Sequence, residues 1–277
     1  MRLQQVRADV QGGSACQQQV RGINRRPARF VGRLLLVFLL CAAAFASAGA
    51  PVDPPRGDVR IAVFGDFNGS YGSLDYPAAV SRVVTALTEV WQPDLLLSPG
   101  DVIAGQNRDL PAERFAQMWA AFDSVVAAPL RRAGIPYAVA VGNHDGSSLR
   151  ASSGEFLFAR EREATRAYWS QGLYEANLAY SDRDDFPFNY AFRFGELFVV
   201  VLDASSAGLP ASQLAWLEGV LASPEARSAR LRLAVGHLPL APVSVGRDRP
   251  GEYVPAVSGL HQSLEEGGGD AYIRGCP

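Results

Sequence analysis

The chain has 277 residues, 48% of them hydrophobic and 19% charged, which excludes a disordered polyelectrolyte and suffices for one sizeable α/β core. All 26 residues counted as lysine or arginine are arginine, scattered along the chain, and the formal net charge is −2. The first 48 residues hold seven of those arginines and one of the 28 acids, so the remainder carries about −8, a poor balance for nucleic-acid binding and a suitable one for capturing divalent cations.

The beginning reads as an export signal. Arg21, Arg25, Arg26, Arg29 and Arg33 form a positive region. The apolar run from Leu34 to Ala46 is too short to span a bilayer comfortably, and Ala46-Ser47-Ala48 offers a small-x-small cleavage site. Residues 1–48 are therefore predicted to be a secretory signal peptide that leaves no stable membrane anchor, and the product is expected outside the cytoplasm, periplasmic or extracellular. Residues 49–58, with three prolines, read as a linker, and residues 59–277 as one domain. Cys16 and Cys41 leave with the signal, so Cys276 has no partner for an internal disulfide.

Within the domain, Val59 to Gly65 is a short apolar run that reads as a buried strand. Pro77 to Trp91 carries Ala79, Val80, Val83, Val84, Leu87 and Val90 at helical spacing. Asp94 to Ser98 is a second strand. Pro111 to Ala133 is a helix with Phe115, Met118, Trp119 and Phe122 on one face, and Ile135 to Val141 is a third strand. This alternation implies βαβ units with parallel strands, whose ligands sit beyond the carboxyl ends of the strands. Ser147 to Asp185 is a long polar-aromatic stretch with a helix near residues 154–168. Tyr190 to Phe194 and Glu196 to Asp203 read as a hairpin around Gly195, entering a second sheet. Pro210 to Leu221 is an amphipathic helix, Arg230 to Gly236 a strand, Val257 to Glu266 a short helix and Asp270 to Arg274 a last strand.

Four blocks follow strand ends: Gly65-Asp66-Phe67-Asn68, Gly100-Asp101, Gly142-Asn143-His144-Asp145 and Gly236-His237. Each glycine lets the backbone turn so that the next side chain faces a shared centre. Carboxylate, amide oxygen and imidazole are ligand types for Mn, Fe or Zn. Two such ions about 3.5–4 Å apart clamp a phosphoryl group and generate hydroxide near neutral pH. Singly each block is weak; a Gly-Asp after a strand is more often a turn. All four in order are hard to obtain by chance. A serine or cysteine hydrolase fits poorly, because no G-x-S-x-G is present.

These blocks resemble the calcineurin-like metallophosphoesterase superfamily, which includes the purple acid phosphatases, over Val59 to Arg274. The family pattern is D-x-H, G-D, G-N-H-D/E, a later H, then G-H-x-H. The resemblance implies a four-layer α/β sandwich, two mixed sheets flanked by helices, and hydrolysis of small-molecule phosphate mono- or diesters at a dinuclear metal site. It implies that Asp66 binds the first metal, that Asp101 bridges both, and that Asn143 and His237 bind the second. His144 would contact phosphate and protonate the leaving oxygen, with Asp145 orienting its ring.

Two departures bear on this expectation. Asn68 stands where the family has His; it is either a weaker, oxygen-type ligand of the first metal or a turn residue before Gly69. After the strand leading to Gly275, Cys276-Pro277 stands where G-H-x-H is expected, so the domain is predicted to lack its last strands and one histidine ligand for each metal. His261 lies in the preceding helix and is expected at the surface. These departures support a second reading, an inactive or binding-only protein on the same scaffold. The sequence is silent on oligomeric state.

Overall fold

The computed structural model describes residues 53, 56–171 and 178–275; the expected signal peptide, most of the linker and Cys276 lie outside them. The first half alternates strand and helix: β1 (Ile61–Val63), α1 (Ala78–Thr85), β2 (Leu95–Ser98), α2 (Ala112–Phe122), α3 (Ala128–Arg132) and β3 (Tyr137–Val139). The periodic apolar positions make each helix, and proline sets where it begins. Pro77 and Pro111 are extended, and their carbonyls accept from Val80 N–H at 2.8 Å and Arg114 N–H at 3.0 Å. Both helices predicted as single α-helices contain a wider turn: α1 runs into a π-helical segment at Ala86–Trp91, and Asp123–Ala127 joins α2 to α3 in the same way.

A short helix α4 (Asn143–Gly146) and then α5 (Ala159–Trp169) lead to the second half. There follow β4 (Ala179–Asp185), β5 (Asn189–Phe194), β6 (Leu197–Val201), α6 (Ala211–Leu221), α7 (Pro224–Arg227), β7 (Leu231–Val235), a 3₁₀ turn (Ala256–Ser258), α8 (Leu260–Glu266) and β8 (Ala271–Ile273). Among the described residues no helix is long and apolar enough to cross a membrane.

The strands form a three-stranded sheet, β1-β2-β3, and a five-stranded sheet, β4-β5-β6-β7-β8. The first is parallel throughout, because helical crossovers join its strands. Only the second is mixed: β4, β5 and β6 pair antiparallel, whereas β6, β7 and β8 pair parallel. The expectation of two mixed sheets is corrected to that extent.

Side chains alternating along each strand sort into three cores. Leu95 and Leu97 of β2 face Tyr190, Phe192, Val199 and Val201 of the second sheet. Leu96 faces the other way, onto Phe115, Trp119 and Phe122 of α2. Phe198 and Val200 face Leu217 and Leu221 of α6. The layers therefore run helix, sheet, sheet, helix. Each fully buried Leu, Val or Phe contributes about 1.5–3 kcal/mol of transfer free energy. An aromatic cluster fixes α5 against α2, with the Trp119 and Tyr168 rings 4.7 Å apart and Trp169 edge-on at 5.8 Å.

Strand β4 was not expected. Its sequence, Ala-Tyr-Ser-Asp-Arg-Asp-Asp, gives little apolar signal because it lies at an edge of the second sheet and is largely exposed. Tyr180 turns inward to meet the Tyr190 ring at 6.1 Å, and two register shifts interrupt the pairing with β5.

Candidate metal centre

The loops after β1, β2 and β3 from one sheet and after β7 from the other meet at one place. One ligand atom each from Asp66, Asp101 and His237 lies within 4.8 Å of the other two. Asp66 and Asp101 both adopt φ 54°, a left-handed conformation that costs a non-glycine residue about 1–3 kcal/mol and persists only where the surroundings impose it. Here they do. Asp66 N–H donates to the Gly100 carbonyl at 2.9 Å, and Asp101 N–H donates to Asp145 Oδ2 at 2.7 Å.

Glycine makes the close approach feasible. Gly100 has φ 95°, and a Cβ there would lie 2.5 Å from Gly142 N. A Cβ on Gly142 would collide with the Asp101 carboxylate and backbone nitrogen. The glycines at two of the four predicted blocks therefore let the ends of β2 and β3 touch.

His237 is 2% exposed. Its Nδ1 donates to the Pro99 carbonyl at 2.8 Å, which in the neutral ring leaves Nε2 as the lone-pair end. That lone pair faces Asn143 Oδ1 at 2.7 Å and Asp101 Oδ2 at 3.5 Å. The Asn143 amide is oriented by its other end, whose Nδ2 donates to Gln106 Oε1 at 2.9 Å. Three atoms able to ligate a cation thus converge, and so short a separation calls for a cation or a second ring proton between them. Carboxylate, amide oxygen and imidazole together form a donor set for a transition metal, so the residues present fit such an ion. Burial raises the Asp101 carboxyl above the ordinary range, partly offset by His237 and by the hydrogen bond from His144 N–H at 2.9 Å.

Asn68 lines the same cleft as Asp66 and Asp101, and its backbone N–H donates to the Asp101 carbonyl at 3.3 Å. His144 lies beside the centre, with Nε2 3.9 Å from Asp101 Oδ2. Its Nδ1 faces the Gly105 carbonyl at 3.2 Å, and its ring stacks on Tyr71 with centroids 5.0 Å apart. Burial holds the His144 pKa below its usual value. His261 is an exposed neighbour of Glu265 on α8, as its position in the sequence implies.

The expected role of Asp145 is corrected. No hydrogen bond joins it to the His144 ring; the Gly105 carbonyl stands at that nitrogen instead. The fully buried Asp145 carboxylate accepts four backbone N–H groups: Asp101 (2.7 Å), Gly142 (2.8 Å), Val102 (2.9 Å) and Ile103 (2.9 Å). It ties the loop after β2 to the start of α4. Burial and the nearby Asp101 carboxylate push its pKa up to about 6, against the lowering effect of those N–H groups.

Helix α5 supports this arrangement with buried polar side chains. Glu161 accepts from the N–H groups of Gln106 and Asn107, each at 3.0 Å. Thr165 Oγ1 donates to the Asp145 carbonyl. Arg162 donates to the Gly146 carbonyl at 2.8 Å and pairs with Asp203 at 2.8 Å. Gln106, Tyr71, Glu161 and Arg247 carry no metal-type signal in the sequence, although all but Glu161 line the cleft. A Gly-Gln-Asn triplet in a loop five residues after a candidate ligand was the only available hint.

The cleft over the centre has a volume of about 580 Å³. A larger cleft of about 910 Å³ adjoins it at Leu149, Ser206 and Gly208 but lacks Asp66, Asp101 and His237. The chemistry belongs to the smaller one.

The sequence matches the family model of calcineurin-like phosphoesterases over residues 59–275. The chain belongs to the calcineurin-like phosphoesterase family, as the resemblance of its four blocks implied. Among solved structures, a dimetal phosphatase from Danio rerio is similar over 75% of this chain and 77% of that chain, with 14% identity and a TM-score of 0.44. No curated protein matches the sequence.

Proposed function

We propose that this chain is an exported phosphoesterase that hydrolyses phosphate mono- or diesters of small molecules at a dinuclear metal centre. The observation that carries the reading is the convergence of His237 Nε2, Asn143 Oδ1 and Asp101 Oδ2 beside Asp66. Asp66, with Asn68, would hold one ion, Asn143 and His237 would hold the other, and Asp101 would serve both; Mn, Fe and Zn suit this donor set. When bound, the ions neutralise phosphoryl charge and lower the pKa of water.

The protein's own groups do the rest. Asp145 and α5 hold the loops rigid, so that the ligands need little rearrangement. His144, held through Nδ1 by the Gly105 carbonyl, presents Nε2 to the cleft and delivers a proton to the leaving oxygen. Tyr71 covers one face of that ring. The export reading rests on the arginine-rich, apolar and small-residue succession in residues 1–48.

The test uses purified protein supplied with Mn(II) and offered p-nitrophenyl phosphate and bis(p-nitrophenyl) phosphate. Metal uptake with hydrolysis of either ester is expected. Uptake without hydrolysis of either supports the binding-only reading instead.

A further inference from the structure

We propose that Gln106 is a positioning residue that keeps the Asn143 side-chain amide turned with its oxygen toward the metal position. The inference rests on the metal reading of the preceding subsection.

The two ends of an asparagine amide have opposite chemistry: Oδ1 serves a cation and Nδ2 repels one. A neutral His237 does not choose between them in favour of the oxygen. In the neutral ring with its proton at Nδ1, the form that can ligate a metal through Nε2, that nitrogen would without a cation prefer the Nδ2 hydrogens of Asn143. The group that opposes that rotation is Gln106, whose Oε1 accepts from Asn143 Nδ2 at 2.9 Å. Orienting partners of this kind tune the affinity of the ligands they hold.

Gln106 is itself held in place. It adopts φ 63°, a conformation that non-glycine residues rarely take. Its N–H and that of Asn107 are both bound by the Glu161 carboxylate. The residue before it, Gly105, gives the carbonyl that faces His144 Nδ1. One short loop after β2 thus sets two consecutive side chains of α4, the ring of His144 and the amide of Asn143.

The decisive property is that position 106 offers an acceptor. Gln106→Glu keeps an acceptor and removes the alternative donor, so it locks Asn143 with Oδ1 inward. Gln106→Leu keeps the bulk and removes the acceptor. Calorimetric titration of Mn(II) into wild type, Q106L and Q106E is the test, with thermal melts in metal-free buffer to establish that each variant folds. The expected result is an affinity loss of about 10- to 100-fold in Q106L, with wild-type or tighter binding in Q106E. Hydrolysis by Q106L should recover in excess Mn(II). If Q106L does not fold, Q106A carries the same comparison. Wild-type affinity in Q106L, or a loss in Q106E as large as in Q106L, overturns the inference alone. A wild-type protein that takes up no metal overturns the metal reading and this inference together, so the two failures are told apart.

Discussion

Asn143 Oδ1 and His237 Nε2 lie 2.7 Å apart, while the other ring nitrogen of His237, Nδ1, lies 2.8 Å from the Pro99 carbonyl. The pair is also where the two sheets meet chemically. Asn143 follows β3 of the first sheet and His237 follows β7 of the second. His237→Ala therefore removes the second sheet's contribution among the described residues that form the centre. Loss of an orienting partner costs about 10- to 100-fold in metal affinity or activity, and loss of a ligand should exceed that. Metal analysis and ester hydrolysis on the same preparation check it. Full metal content with wild-type turnover would remove His237 from the site.

Asp145→Asn should destabilise the fold. The carboxylate satisfies four buried N–H groups, two on each oxygen. An amide keeps one oxygen and turns NH₂ toward the other two donors. Buried donors left unsatisfied cost about 1–3 kcal/mol each, so for two of them a loss of about 2–6 kcal/mol is expected in urea unfolding. A variant as stable as wild type would show that the carboxylate does not hold the loop.

His144→Ala should act selectively. A proton donor matters most when the leaving oxygen is basic. The loss should be about 10²- to 10⁴-fold on alkyl phosphate esters, and clearly smaller on p-nitrophenyl esters, whose leaving group departs without protonation. Steady-state rates across a series of leaving groups read this directly. An equal loss throughout the series would assign His144 to phosphate binding alone.

What the sequence revealed and what it hid follow from a physical division. Metal-type side chains placed just after apolar strands stand out, and Asp66, Asp101, Asn143, His144 and His237 do come together. Asp66 and Asp101 even share one backbone conformation, which the hydrogen bonds of their N–H groups hold in place. Two things were not legible. Edge strand β4 carries almost no buried face, so its pattern resembles a loop. The supporting groups, Gln106, Glu161 and the true partners of Asp145, act through single hydrogen bonds across 37 to 55 residues or through backbone atoms, and neither leaves a periodic trace. The adjacency of Asp145 to His144 suggested a contact that helix geometry directs elsewhere: the Asp145 side chain turns back to the N–H of Gly142.

Glu161 should give the stability a distinctive pH dependence. Burial pushes its carboxyl up to about 7 from 4.5, with Asp145 adding to the shift and the N–H groups of Gln106 and Asn107 opposing it. The folded state thus holds the proton more tightly than the unfolded chain. This contribution is fully present below pH 4.5, declines as pH rises toward about 7, and is constant above. Asp145, raised to about 6, has the same sign, so wild type alone cannot separate them. The difference between wild type and Glu161→Gln does, because only Glu161 is lost from it. Urea midpoints measured from pH 4.5 to 8 should show wild type losing stability relative to the variant up to about pH 7 and running parallel to it thereafter. A difference curve that is flat over this range would mean that Glu161 titrates at its ordinary value, and that it clamps Gln106 and Asn107 as a carboxylate throughout.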